Sequence, residues 1–213
     1  MNVDNCFATP VGQRPIDLGA DLVVHSATKW IDGQGRTLGG IVVGKSSLIH
    51  DIYLFCRSTG PALSPFNAWV LSKATDTLEI RMDRHSSSAL NIAQKLENHP
   101  KIKSLRYPFL PSHPQHEIAR KQMKNGGGIV CFELKGGLES GKKFLNALRM
   151  LSLTANLGDA KSIASHPAST THAKLSEQER QAVQITPGLI RISVGLEHPD
   201  DILGDILQAL NEC

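Results

Sequence analysis

Cysteine is scarce in this sequence: Cys6, Cys56, Cys131 and Cys213 are its four, with no Cys-x-x-Cys pair among them. That spacing excludes the common structural zinc sites, and a disulfide framework is not expected in a chain of 213 residues with an intracellular composition. No sign of charge dominates either. Twenty-three Lys and Arg against 20 Asp and Glu leave a formal +3 at pH 7, too weak a bias to imply a nucleic-acid or membrane partner. The denser basic spots, Lys101, Lys103 and Arg106, then Arg120, Lys121 and Lys124, alternate with apolar residues and read as solvated faces. No apolar run has the length of a signal-peptide core or a membrane span, so the cytoplasm is the expected location. His113-Pro-Gln-His116 lacks an acidic partner and carries prolines beside its histidines. It reads as a surface loop, and no metal site is expected.

What is present is ordinary for a soluble globular protein: 40% apolar and 20% charged residues. The length suffices for one large domain or two modest ones. Gln13 to Ala20 reads as a short helix after a Pro-Val-Gly turn, and Asp21 to Ser26 as a buried β-branched strand. Thr37 to Gly44 reads as another strand, which together suggests α/β layers with a mostly parallel sheet. The link from Lys45 to Gly60 reads as a short connection. A long helical tract is expected from Pro65 to about Leu96, with a break at Ser86-Ser87-Ser88, and His99-Pro100 ends it.

Beyond it the expected order is strand 102–107, helix 116–123, strand 128–134, helix 140–150 and strand 152–156. A Ser/His/Thr-rich loop, helix 176–184, strand 189–194 and helix 199–210 complete it. Ser176-Glu-Gln-Glu179 is a capping box, in which serine and glutamate each satisfy an unpaired backbone N–H at a helix start.

The segment that carries chemistry is His25-Ser-Ala-Thr-Lys29-Trp30. A lysine directly after a buried strand can form an imine with an aldehyde cofactor once its amine is neutral. Hydroxyls at Ser26 and Thr28 can donate to a phosphate held beside it. Alone, a Ser-x-Thr-Lys run would be an ordinary strand-end lysine. Its neighbours are Val3-Asp4-Asn5, Thr9-Pro10, Asp17-Leu-Gly-Ala-Asp-Leu-Val-Val-His25 and Gly39-Gly40. With these the chain resembles the fold-type-I pyridoxal-phosphate (PLP) enzymes of Cys/Met metabolism, and the match runs to its end.

That resemblance implies Lys29 as the catalytic, cofactor-bearing residue and pyridoxal 5'-phosphate as the cofactor. It implies that Asp4 pairs with the pyridine nitrogen, and that Ser26 and Thr28 hold the phosphate. A carboxylate there keeps the ring nitrogen protonated, which makes the ring a better electron sink. Arg191, in Leu189-Ile-Arg-Ile-Ser-Val-Gly195, would clamp the substrate α-carboxylate, for which a planar two-pronged donor is suited. Asn156, in Ala155-Asn-Leu-Gly-Asp-Ala-Lys161, stands where a serine helps position substrate and lysine in other members.

The implied architecture is α/β. Residues 1–80 would be the C-terminal part of a PLP-binding large domain, and residues 81–213 a small C-terminal α+β domain. Cys6 in Asp4-Asn-Cys-Phe7, with Asp32-Gly-Gln-Gly-Arg36 and Gly60-Pro-Ala-Leu-Ser-Pro-Phe-Asn67, resembles the O-succinylhomoserine sulfhydrylases of the family. The implied reaction joins O-succinyl-L-homoserine and sulfide into homocysteine, with succinate released. O-acetylhomoserine sulfhydrylase, cystathionine γ-synthase and γ-lyase activities stand as alternatives. The implied assembly is a homo-oligomer, a tetramer in full-length members. Because the match begins only at the cofactor aspartate, the expectation is a fragment lacking the N-terminal half, with little activity alone. A non-catalytic truncated remnant is the reading from another class.

Overall fold

A computed structural model describes residues 1–213 as a mixed α/β structure with two sheets. The first sheet is formed by β1 (Asn2–Asp4), β2 (Leu22–Ser26) and β3 (Gly40–Gly44) in that order. β1 and β2 are parallel, with Asp4 opposite Val24, whereas β2 and β3 are antiparallel. The mostly parallel sheet expected from the sequence is therefore half antiparallel here. Between β1 and β2 run α1 (Thr9–Gly12) and a 3-10 turn at Pro15–Leu18. That turn is all that forms of the helix expected over 13–20, because Gly19 takes a left-handed φ of 96° and ends it.

After β3 come α2 (Ser46–Thr59), α3 (Pro65–Thr75) and α4 (Leu78–Leu96). The short connection over residues 45–60 holds α2, a helix of 14 residues. It starts on Lys45 without a capping side chain, so the local start signal is missing, and Gly60 (φ 94°) closes it. None of its residues is buried. α3 begins on Ser64, whose hydroxyl accepts from the backbone N–H of Asn67, with Pro65 at the first helical position.

The tract from Pro65 divides at Asp76-Thr77 rather than at the expected Ser86-Ser87-Ser88, through which α4 continues. Serine is tolerated mid-helix when its hydroxyl has a tertiary partner, and Ser86 Oγ lies 3.2 Å from the Tyr107 hydroxyl. Leu78, Met82, Ala89, Ile92, Ala93 and Leu96 make the buried stripe at three- and four-residue spacing.

The second sheet has the order β4-β5-β8-β7-β6. Its strands are β4 (Ile102–Arg106), β5 (Ile129–Leu134), β6 (Ser152–Leu153), β7 (Ile163–Ser165) and β8 (Leu189–Ser193). Helices α5 (His116–Gln122), α6 (Gly137–Ala147), α7 (Glu177–Ala182) and α8 (Pro199–Asn211) are interleaved with them. β7 falls inside the segment read as a Ser/His/Thr-rich loop. Three residues are too few to show alternation, yet all three are buried because β7 sits between β6 and β8. The expected strand at 152–156 stops at Leu153. The capping box forms as read: Ser176 Oγ accepts from the Glu179 N–H, and the Glu179 carboxylate accepts from the Ser176 N–H.

The larger hydrophobic core, 21 buried residues from Ala89 to Leu210, lies against the second sheet. The smaller core joins Ala27, Trp30, Ile31, Leu71, Leu78, Met82 and Leu157, so α4 serves both. No helix is long and apolar enough to cross a membrane. Apolar side chains of β3 and α2, Val42, Val43, Tyr53 and Phe55 among them, are exposed.

Asp205, on α8, fastens the turn after α6. Its carboxylate accepts from the backbone N–H of Arg149, Met150 and Leu151 at 2.9, 2.9 and 3.0 Å, and from Gln208 Nε2 at 3.0 Å. Burial alone would raise its pKa, but these donors outweigh burial and leave it lowered. A lowered folded pKa contributes stability that is present above the unfolded value and lost as pH falls through the folded one. Asp205→Asn is expected to cost about 3 kcal/mol at pH 7, because an amide cannot accept with both atoms. Urea unfolding should show the gap between the two proteins closing as pH falls below the ordinary aspartate range and through the lowered pKa of the folded carboxyl.

Candidate active site

Lys29 sits at the end of β2, in a single wide turn at Ala27–Ile31. Its own φ and ψ, −89° and −125°, are non-helical and turn the side chain out of the run of buried Ala27, Trp30 and Ile31. Three contacts fix this turn. Arg81, buried on α4, donates Nη1 to the Trp30 carbonyl at 2.7 Å and Nη2 to the Ile31 and Ala74 carbonyls at 3.0 and 2.9 Å. Asp32, wholly buried, accepts from the Arg36 N–H at 2.7 Å and from its Nε at 3.0 Å. Gly158 (φ 79°) lies against the turn so closely that a Cβ there would come within 2.7 Å of the Trp30 nitrogen. A side chain at Gly158 is therefore excluded by both space and backbone angle.

The Lys29 amine lies 2.5 Å from Asn156 Oδ1. The backbone carbonyls of Ala155 and Asn156 accept in turn from Arg191 Nη2 at 3.1 and 3.3 Å. The loop at 155–158 thus joins lysine and guanidinium, two candidates 162 residues apart (191 minus 29). This also explains why strand pairing ends before Asn156: its carbonyl is taken by a side chain. Burial lowers the Arg191 pKa from the ordinary arginine value, but a guanidinium stays charged at neutral pH.

Asp4 and Ser26 form a second connected group through Cys6. The Cys6 N–H donates to Asp4 Oδ1 at 3.0 Å, and the Ser26 N–H donates to Cys6 Sγ at 2.8 Å. The Cys6 thiol and then its N–H hold the Asp4 carboxyl below the usual carboxylate range. Burial, with Asp4 alongside, pushes the Cys6 thiol up. The Ser26 hydroxyl has no partner within the chain, whereas Thr28 Oγ1 is engaged with Gly39, accepting its N–H at 3.2 Å. Of the two hydroxyls, Ser26 is the freer to meet a ligand. A cleft of about 590 Å³ is lined by Asp4, Phe7, Arg106 and Cys131 but not by Lys29.

Residues 1–211 match the family of Cys/Met metabolism PLP-dependent enzymes. The chain belongs to this family. Its relatives include the O-succinylhomoserine sulfhydrylase of Pseudomonas aeruginosa, 50% identical over 210 residues that make up 99% of this chain and 52% of that protein. The L-methionine gamma-lyase of Pseudomonas putida is 49% identical over 98% of this chain and 53% of that protein. Among solved structures, the cystathionine gamma synthase of Xanthomonas oryzae pv. oryzae in complex with cystathionine superposes with a TM-score of 0.96. It shares 37% identity and covers 99% of this chain and 55% of that one. The chain spans about half the length of the curated relatives it matches.

The family implies pyridoxal phosphate, and the donor set of this chain fits it. A carboxylate held ionised, an amine whose recorded partner is a side-chain amide oxygen, and a hydroxyl with no partner in the chain suit ring nitrogen, aldehyde and phosphate respectively. Three features of the site escape reading along the sequence: the Cys6 bridge, the Arg81 clamp and the Gly158 contact. Arg81 alone leaves a local signal, a charged residue on the buried stripe between Leu78 and Met82.

Proposed function

We propose that this chain carries the lysine-bearing part of a PLP-dependent enzyme for γ-replacement, converting O-succinyl-L-homoserine and sulfide into homocysteine and succinate. The observation that carries the reading is the link from the Lys29 amine through Asn156 to Arg191, which sets a nucleophilic base beside a carboxylate clamp. The 50% identity to a protein named O-succinylhomoserine sulfhydrylase supports this choice of substrate. In this reading residues 1–80 belong to a fold-type-I large domain and residues 81–213 to a smaller C-terminal one, with assembly as a homo-oligomer.

Asp4, Ser26, Thr28 and Lys29 would hold the cofactor. When bound, pyridoxal phosphate supplies an electron sink that acidifies the substrate carbons near its amine. Asp4, ionised through its bonds from Cys6, favours a protonated ring nitrogen. Arg191 orients the substrate by its α-carboxylate. Lys29, once neutral, takes the α-proton and returns protons at the neighbouring carbon, so one positioned base serves several transfers. Asn156 holds that amine in place between transfers. Succinate departs from the γ-carbon and sulfide takes its position.

The test is to incubate the protein with pyridoxal phosphate, O-succinyl-L-homoserine and sulfide, and to quantify products. Homocysteine and succinate in equal amounts are expected, at a low rate for this chain by itself. A keto acid and ammonia without homocysteine would favour a γ-lyase. No turnover, with no cofactor captured at Lys29, would favour the non-catalytic reading.

A further inference from the structure

Register places three side chains in a row across the second sheet: Arg106 of β4 lies opposite Cys131 of β5, which lies opposite Arg191 of β8. Directly opposed residues project to the same face, so two arginines flank one thiol, their backbones two strand spacings or roughly 10 Å apart. The adjacent residues Val130, Phe132, Ile190 and Ile192 point the other way, into the core. Neither arginine meets a carboxylate. Arg191 donates to backbone carbonyls, and Arg106 Nη1 donates to Gln184 Oε1. The thiol between them is no counter-ion, since burial pushes the Cys131 pKa up to about 11. Glu133, on the same face of β5, is already paired to Lys103 at 3.0 Å. Arg106 and Cys131 also line the 590 Å³ cleft whose lining includes Asp4.

Two cations on one face without a protein anion suit a ligand that brings two carboxylates. We propose that Arg106 is a specificity-determining residue that receives the distal carboxylate of a homoserine ester whose α-carboxylate is held by Arg191. The site then favours a dicarboxylic acyl group, such as succinyl, over acetyl. In O-succinyl-L-homoserine the two carboxylate carbons are separated by eight bonds, roughly 10 Å when extended, which matches the spacing of the two strands. This rests on the reading of Arg191 as the α-carboxylate clamp and adds the group that reads the acyl chain. Arg106 is exposed, in keeping with its reading as part of a solvated face, and the proposal gives that exposed guanidinium a ligand.

The experiment is calorimetric titration of the protein with O-succinyl-L-homoserine and with O-acetyl-L-homoserine. The wild type is expected to bind the succinyl ester about tenfold more tightly, the worth of one charge-assisted hydrogen bond. Arg106→Gln should erase that preference, and Arg106→Lys should keep part of it. Melting temperatures would verify that both variants fold, as expected for an exposed side chain. A wild-type protein without the preference, binding of neither ester, or a preference that survives in Arg106→Gln would each overturn the proposal. Arg191→Lys separates the two readings: it should weaken both esters alike. If it weakens neither while Arg106→Gln still removes the preference, the clamp reading fails and the acyl reader stands.

Discussion

Replacing Lys29 by alanine is expected to abolish covalent capture of pyridoxal phosphate. Only a neutral primary amine can form the carbon–nitrogen bond to the cofactor aldehyde that borohydride then makes permanent. Several other lysines are poorly placed to compete, because Lys45, Lys73, Lys95, Lys103, Lys124 and Lys142 each pair with a carboxylate. Such a partner occupies the amine, and for Lys124 the Glu79 carboxylate also raises its pKa. Lys29 has instead an amide oxygen at 2.5 Å and no acidic neighbour in ion-pair range. Reduction followed by peptide mapping should place the label on the peptide containing Lys29 in the wild type and return it to background in Lys29→Ala. The variant should melt within about 1 °C of the wild type, since the lost side chain makes one part-buried hydrogen bond. Equal labelling at another lysine in both proteins would end the assignment.

The second large effect concerns stability. Trp30→Ala is expected to cost about 3–5 kcal/mol, the usual range for emptying a fully buried aromatic site. Trp30 has no exposed surface, meets the His85 ring edge-on at 4.6 Å, and lies so close to Gly128 that a Cβ there would come within 2.5 Å. It packs in the smaller core that α4 shares with the lysine turn, so the cavity opens directly beside Lys29. In a chain of this length the melting temperature should fall by roughly 10 °C. Trp30→Phe should cost much less. It keeps most of the volume and removes an indole N–H that has no hydrogen-bond partner. A calorimetric scan of both variants decides the matter; equal losses for Ala and Phe would mean that ring volume is not what Trp30 contributes.

These two residues illustrate how unevenly the structure could be read in advance. Lys29 stood out as a candidate because its signal is local: a β-branched strand, two hydroxyls and a lysine within Leu22 to Lys29. The capping box at Ser176 was legible for the same reason, as a serine and a glutamate three positions apart. α2 was not, because a helix with no buried residue and no capping side chain leaves neither of the usual marks. β7 escaped because three residues cannot show a period, and its burial comes from strands on either side of it. Asn156 was read into a strand because nothing nearby in the sequence announces that Arg191 claims its carbonyl.

By itself, then, the sequence determined the family, and within it marked Lys29, Asp4, Ser26, Thr28 and Arg191 as candidates for its chemistry. Functional-group identity at short spacing is a property of the chain, unchanged by folding. It also determined most of the second half's elements, where apolar stripes and turn residues are dense enough to speak locally. Only the tertiary structure decided which of those side chains meet. The bond from Lys29 to Asn156 closes a loop of 127 residues, the Arg81 clamp one of about 50, and the row of Arg106, Cys131 and Arg191 depends on the register of three strands. Such contacts follow from the packing of α4 and the second sheet against the lysine turn. Packing is a property of shape and volume summed over the whole core, which no short window of sequence contains.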